Sequence, residues 1–156
     1  MTMAGAMPRD ARTGRLAYLD LFRASPLRRI EAIKAGVSAA EVKELSRELH
    51  LDQQMLFEAL NLKTATVNRK ALRGEHLSQN DSERVIGLAK LVGQLEAMLE
   101  NAELAEPFDA PEWVSGWLRE PLPALGGKRP IELLDTMEGQ ALVSRALAQV
   151  ESGAYA

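Results

Sequence analysis

Helix start and stop signals recur along this chain, and they constrain its fold more than any other feature of the sequence. Ser25-Pro26 places a capping residue before a proline, and Ser38-Ala-Ala-Glu41 has the spacing of a capping box. Asp109-Ala-Pro-Glu112 is another helix start, and Gly36 is typical of a helix end. No stretch alternates apolar and polar residues with the period of two that marks a strand. The sequence therefore predicts an all-α fold.

The composition excludes several classes of protein. A hydrophobic content of 46% is enough for a packed core. The chain has no cysteine, so it has neither disulfides nor a thiolate metal site. It lacks the run of about 18 apolar residues that a membrane span needs, and its start lacks the apolar segment of a signal peptide. We expect a cytoplasmic protein with no cofactor.

The net charge of −3 is unevenly distributed along the chain. Residues 1–73 carry 13 Lys and Arg against 8 Asp and Glu, a balance of +5. Residues 74–156 carry 6 against 14, a balance of −8. A basic half followed by an acidic half indicates two surfaces with different partners, unless the charges are clustered by chance on solvated helix faces.

Helices are expected at about 12–24, 26–36, 38–49, 52–60, 64–72, 78–99, 109–118 and 136–151. The apolar residues predicted to face the core on the shorter helices are Leu16, Leu19, Phe22, Ile30, Ile33, Val42, Leu45, Leu49, Met55, Leu56, Ala59, Leu60, Leu142, Val143, Leu147 and Val150. On the long helix, Val85, Leu88, Val92, Leu95 and Leu99 form a seam with alternating spacings of three and four. This seam is either ordinary core or a dimer surface.

Helices 52–60 and 64–72, joined by a short turn, match a helix-turn-helix. Asn61 suits the left-handed position of the turn, and Leu62 and Val67 are expected to fix the second helix to the core. The outer face of this second helix then presents base-reading and phosphate-binding side chains to DNA. The DNA-binding candidates are Lys63, Thr64, Ala65, Asn68, Arg69, Lys70 and Arg73. The alternative is a polar surface hairpin of two helices.

Residues 60–91 carry a pattern formed by Thr66, Arg69, Gly74, Leu77-Ser78, Ser82 and Arg84. This pattern is similar to the helix-turn-helix part of the Xre/MbcA/ParS family of bacterial antitoxins, and the resemblance covers about residues 36–156. The C-terminal part is more specific and looks like the family's toxin-binding domain. Its marks are Trp117-Leu118, Pro121, Leu125-Gly126-Gly127, Pro130, Leu133-Leu134, Glu138-Gly139, Val143 and Gly153. The expected parts are an N-terminal extension (1–25), a DNA-binding region (26–77) and a toxin-binding domain (78–156).

The resemblance implies a type II antitoxin. Such a protein covers the active site of a cognate toxin, often of the NAD-degrading RES type, and binds its own operator. Two-fold binding to DNA implies a homodimer, for which the long seam and the N-terminal helix are both candidate surfaces. The alternative is a plain transcriptional regulator whose C-terminal half dimerises or senses a ligand. No catalytic constellation is visible, so we do not expect an enzyme.

The toxin-binding candidates lie in the C-terminal part: Trp113, Lys128, Arg129, Ala154, Tyr155 and Ala156. Trp113 is equally compatible with an interface anchor and with the core, whereas Trp117 is expected in the core. The terminal carboxylate and Tyr155 either enter a nucleotide pocket of the toxin or fray. Gly126-Gly127-Lys128-Arg129 lacks the spacing of a phosphate-binding loop and is expected to be a turn. His50 and His76 have no His or Cys nearby in sequence, so no metal is expected.

Overall fold

The fold consists of helices joined by short turns. The computed structural model describes residues 17–104 and 106–152, with side chains up to residue 150. Within these ranges the α-helices are α1 Tyr18–Arg23, α2 Pro26–Ala35, α3 Ala39–Glu48, α4 Gln53–Ala59, α5 Thr64–Leu72, α6 Gln79–Met98, α7 Ala110–Leu118 and α8 Met137–Ser152. Two 3₁₀ segments, Pro123–Leu125 and Pro130–Leu133, connect α7 to α8. The described residues contain no strand, and the predicted all-α fold is confirmed.

Some sequence predictions fall outside the described residues. They concern residues 12–16 of the first expected helix, with Leu16, and the end of the chain, with Gly153. The candidates Ala154, Tyr155 and Ala156 also lie outside.

Side-chain caps start five of the described helices, whereas Asp52, which was also expected to cap a helix, makes no side-chain capping bond at α4. Ser25 accepts a hydrogen bond from the Arg28 N–H at 3.1 Å. The Thr136 hydroxyl accepts one from Gly139 N–H at 2.9 Å at the start of α8. The residues that cap α3, α6 and α7 in the same way are Ser38, Ser78 and Asp109. Each cap satisfies an N–H that has no partner inside its own helix.

The long helix α6 lies at the centre of the molecule and contacts α1, α2, α7 and α8. Its seam residues from Val85 to Leu95 are buried, and Leu99 packs against the same core. The helices approach closely at Gly93, where an added Cβ would lie 2.0 Å from the Tyr18 carbonyl oxygen. The seam is therefore core within one chain, and it leaves no free surface for a dimer.

Buried polar side chains connect α6 to α8. The Gln140 amide donates to the carbonyl oxygens of Arg84, at 3.1 Å, and Leu134, at 2.9 Å. One turn further on, the Ser144 hydroxyl donates to the Gln94 side chain at 2.8 Å. Gly87 leaves room for the Gln140 side chain, since a Cβ at this glycine would lie 1.7 Å from the Gln140 amide oxygen. Because buried polar groups need partners, these bonds fix how α8 lies along α6.

Three apolar residues that we expected in the core are exposed. Ile30, Met55 and Leu142 keep 45%, 43% and 40% of their surface. Each lies at the edge of the buried side of its helix, which includes Ala32 on α2, Leu56 on α4 and Val143 on α8. On α8, for example, Val143 and Leu147 are buried, and a step of one residue turns about 100° around a helix. Leu142 therefore points away from α6.

On the first helix, α1, the buried face is shifted by one residue from the predicted one. Leu19 and Phe22, which were predicted to face inward, are half-buried. Tyr18 and Leu21 are the buried residues of α1. None of the described helices is long and apolar enough to cross a membrane.

Candidate functional site

The turn between α4 and α5 has the geometry expected of a helix-turn-helix. Asn61 adopts a left-handed backbone conformation with φ of 54°, as predicted. The Arg84 side chain, 16% exposed, donates from Nε to the Leu60 carbonyl oxygen at 2.6 Å and from its guanidinium to the Asn61 carbonyl oxygen at 3.3 Å. It also pairs with Asp81. An arginine of α6 thus satisfies the carbonyl groups at the end of α4 and holds the turn in place.

The helix α5 lies as the sequence predicted. Leu62 and Val67 are buried, at 6% and 1% exposed, and attach it to the core. Among the DNA-binding candidates, those exposed are Lys63, Ala65, Arg69 and Arg73. Those partly buried are Thr64, Asn68 and Lys70. The structure therefore brings all seven onto one short helix and its ends.

Two details of α5 differ from the expectation or extend it. Thr64 is the first residue of α5 and not its cap, and Lys63 occupies the capping position without a side-chain hydrogen bond. The Asn68 amide oxygen is buried and has no hydrogen-bond partner among the described residues. A buried acceptor without a partner is costly, so this amide is suited to rearrange towards a ligand.

Leu72 was not considered as a functional residue, although it is 90% exposed. It follows Arg69 by three positions and Ala65 by seven, so it continues their exposed face. An apolar side chain among basic ones can contact a thymine methyl group or the sugar edge.

A groove lies along α7, in the C-terminal half of the chain. Its volume is about 340 Å³, and it is lined by Glu112, Trp113, Gly116, Trp117, Glu120 and Val150. The rings of Trp113 and Trp117 are stacked, with centroids 6.1 Å apart and planes inclined by 16°. Trp117 is 5% exposed and belongs to the core, as predicted. Trp113 is half-buried: it packs against the core and also lines the groove.

The basic pair Lys128 and Arg129 lies elsewhere, in the turn after the first 3₁₀ segment. Gly126 and Gly127 have positive φ of 68° and 83°, which explains the two glycines. The Arg129 N–H donates to the Glu132 carboxylate at 2.9 Å. This backbone hydrogen bond is the main cause that lowers the pKa of Glu132. Both basic side chains are exposed, and neither lines the groove.

Sequence reasoning missed the other residues of the groove. Glu112, Gly116 and Glu120 recur every four positions, which is the spacing of one helix face, and Trp113 and Trp117 share it. This periodicity was the available signal. What it does not show is that α8 brings Val150 to the same place.

Three potential metal ligands also meet near the start of α7. The ligand atoms of His50, Asp109 and Glu112 lie within 4.8 Å of one another. All three side chains are exposed, and the Asp109 carboxylate already accepts the Glu112 N–H at 3.0 Å. Exposed acidic groups often lie together without a metal, so this cluster does not by itself define a metal site.

Comparison with known proteins assigns a class to each half of this architecture. Residues 28–90 match the Xre-like helix-turn-helix domain of antitoxins, and residues 94–153 match the C-terminal toxin-binding domain of the Xre/MbcA/ParS antitoxins. The α4–α5 hairpin lies in the first match and the groove in the second. The chain is thus an antitoxin with a helix-turn-helix and a toxin-binding domain.

The chain belongs to the Xre/MbcA/ParS family of antitoxins. It is similar to a curated protein of Sphingobium sp. (strain YBL2), named Prs ADP-ribosylating antitoxin, with 64% identity over 140 residues. The alignment covers 90% of this chain and 88% of that relative. The resemblance drawn from the sequence is confirmed, and the family is one of antitoxins, not of enzymes.

Proposed function

We propose that the chain neutralises an NAD-consuming toxin of the RES type by covering its active site, and that it represses its own operon in the cytoplasm. The observation that carries the first part is the aromatic and acidic groove within the toxin-binding match. The name of the Sphingobium relative associates that protein with ADP-ribosylation. ADP-ribosyl transfer uses NAD as donor, which supports a toxin that consumes NAD.

The division of labour follows the three parts proposed from the sequence. Residues 26–77 bind operator DNA through the outer face of α5, residues 78–156 bind the toxin, and residues 1–25 extend the N-terminus. Lys63, Lys70 and Arg73 contact phosphate, while Asn68 and Arg69 reach base edges with Thr64 and Ala65 beside them. The exposed α5 face and the turn held by Arg84 support this assignment.

A homodimer places two α5 helices about 34 Å apart, one turn of DNA. Because the seam of α6 is buried within one chain, the dimer surface lies elsewhere. Exposed apolar residues of α2, Leu27 at 72% and Ile30 at 45%, make this helix a further candidate surface beside the N-terminal helix.

On the toxin side, Trp113 anchors the contact and Lys128 and Arg129 add polar contacts at its edge. We further propose that Ala154, Tyr155 and Ala156 enter the nucleotide pocket of the toxin. Deletion of these three residues tests this step separately. A chain lacking Ala154–Ala156 should still bind the toxin but inhibit it less. Unchanged inhibition would remove the tail from the mechanism.

The decisive experiment co-expresses the full chain with the reading frame beside its gene and measures growth and co-purification. The full chain is needed, because α6 would lose its contacts with α1 and α2 in a C-terminal fragment. We expect the toxin alone to stop growth and the chain to restore it. A variant with Arg69, Lys70 and Arg73 changed to Ala should rescue equally well but lose operator binding. Failure of the full chain to bind or rescue would contradict the proposal.

A further inference from the structure

The groove along α7 is acidic at both ends. Glu112 lies in the first turn of α7 and Glu120 just beyond its last residue, roughly two helical turns apart. Both carboxylates are exposed, and neither forms an ion pair with a described residue. The six lining residues include no lysine or arginine. The groove therefore presents two negative charges that its own residues leave uncompensated.

Between these charges lies an aromatic surface. Trp113 and Trp117 line the groove with stacked rings, and the core holds Trp117 in place. The face of an indole ring attracts cations, and tryptophan does so better than other aromatic side chains. A position beside Trp113 and between two carboxylates is thus favourable for a positive charge carried on an apolar stem.

The groove is open at its centre because Gly116 has no side chain. A Cβ built at this position meets no atom within 4 Å, so packing does not require a glycine there. At about 340 Å³ the volume lies at the lower end of the range for ligand pockets, about 300–1,000 Å³. This space suits a single long side chain better than a folded element of a partner.

We propose that this groove receives a lysine or arginine side chain of the toxin, with its charged group between Glu112 and Glu120 and its stem against Trp113. The proposal rests on the proposed function, because it presupposes a toxin that binds the chain. Charge complementarity selects this occupant: an apolar anchor would leave two carboxylates desolvated without partners. The balance of −8 over residues 74–156 favours the same cationic partner at longer range.

The first test removes the charges without changing shape. The full-length chain and its variants Glu120→Gln and Glu112→Gln/Glu120→Gln are titrated with the toxin from co-expression, by calorimetry at low and high salt. We expect the double variant to bind about tenfold more weakly or worse at low salt, with a smaller salt dependence. The single Glu120→Gln change should account for much of this loss, since Glu112 also lies near His50.

The matched control is the double variant Glu103→Gln/Glu106→Gln. It removes two exposed carboxylates from the same acidic half, and neither lines the groove. We expect toxin affinity close to that of the unmodified chain. If both double variants weaken binding equally, only net charge matters and the proposed site is wrong.

The second test fills the groove. Gly116→Leu places a side chain where space is open, and leucine favours a helix more than glycine does, so the variant should fold at least as well. We expect about tenfold or greater loss of toxin affinity, whereas Gly116→Ala should lose less. Circular dichroism and thermal unfolding verify the fold. Gly116→Leu with unchanged affinity would overturn the proposal.

The outcomes distinguish failure of this inference from failure of the proposed function. If the unmodified chain binds no toxin, the proposed function fails and the inference fails with it. If the chain binds the toxin and all groove variants bind alike, only the inference fails. Sedimentation of the free chain adds one further outcome: groove variants that change its oligomeric state, with toxin affinity intact, would assign the groove to a second copy.

Discussion

The two candidate interfaces of this antitoxin are built in opposite ways, although α6 supports both. The candidate DNA-binding helix α5 is attached to the core through Val67 and through Leu62 just before it, and its candidate DNA-binding side chains are exposed or half-buried. The groove on α7 has a floor of stacked indoles, one of them belonging to the core. One surface is a row of charges on a helix, and the other is a packed concave site.

This difference predicts how each interface tolerates change. The exposed side chains of α5 can be replaced at little cost in stability, because they lie in solvent, so their loss should affect binding alone. In the groove, function and core share residues, so a substitution there risks both. The exception on the DNA side is the turn, which depends on Arg84 of α6.

The largest effect on stability is expected from Trp117→Ala. Removing a large buried aromatic side chain costs about 3–5 kcal/mol, and Trp117 is 5% exposed. Trp113→Ala should cost clearly less, since Trp113 is only half-buried, yet it should weaken toxin binding. Guanidinium unfolding of both variants gives the two free energies. Equal losses would mean that Trp113 is as much a core residue as Trp117, and the proposed difference between the two tryptophans would be wrong.

A smaller loss, about 1.5–3 kcal/mol, is expected from Arg84→Met, because hydrogen bonds to a charged group contribute about this much. The Leu60 carbonyl oxygen loses its donor, and the turn before α5 loosens. Operator affinity should fall while toxin affinity stays the same, as measured by fluorescence anisotropy and calorimetry. Arg145→Met, an exposed arginine of α8, is the matched control and should change neither. Equal weakening of both affinities by Arg84→Met would show that the two halves do not function separately.

Arg69→Ala should leave stability nearly unchanged and alter operator recognition. If Arg69 reads a guanine, discrimination at one base position falls by about 1–3 kcal/mol. Lys70→Ala and Arg73→Ala should instead weaken binding to all sequences alike and reduce its salt dependence. Binding to a set of single-base operator variants distinguishes these patterns. Uniform weakening by Arg69→Ala would reassign this residue to a phosphate contact.

Local features of this fold could be predicted from the sequence, because their causes lie within a few residues. The caps at Ser25, Ser78 and Thr136 depend on neighbouring N–H groups, and the left-handed Asn61 depends on the chain around it. The length of α5, Thr64–Leu72, followed in the same way from its start and end signals.

Features that depend on distant residues escaped prediction. The bond from Arg84 to Leu60 spans 24 positions, and the bond from Ser144 to Gln94 spans 50. Helical periodicity could not decide which apolar residues meet a neighbour, and it misplaced Met55 and Leu142. The groove shows both limits: the spacing from Glu112 to Glu120 was visible in the sequence, but the approach of Val150 on α8 was not.

The smallest effect compares two aspartates at helix starts, one in each half. Asp109 accepts the Glu112 N–H at 3.0 Å at the start of α7. Asp52 occupies the same position before α4 but forms no side-chain capping bond. Loss of a capping side chain costs about 0.5–2 kcal/mol, so Asp109→Ala should lower the free energy of unfolding by about 1 kcal/mol. Asp52→Ala should lower the free energy of unfolding by less, because it removes only the interaction of the carboxylate with the helix dipole. Thermal unfolding of the two variants measures the difference, and a larger loss at Asp52 would indicate a capping bond at α4 that this structure does not show.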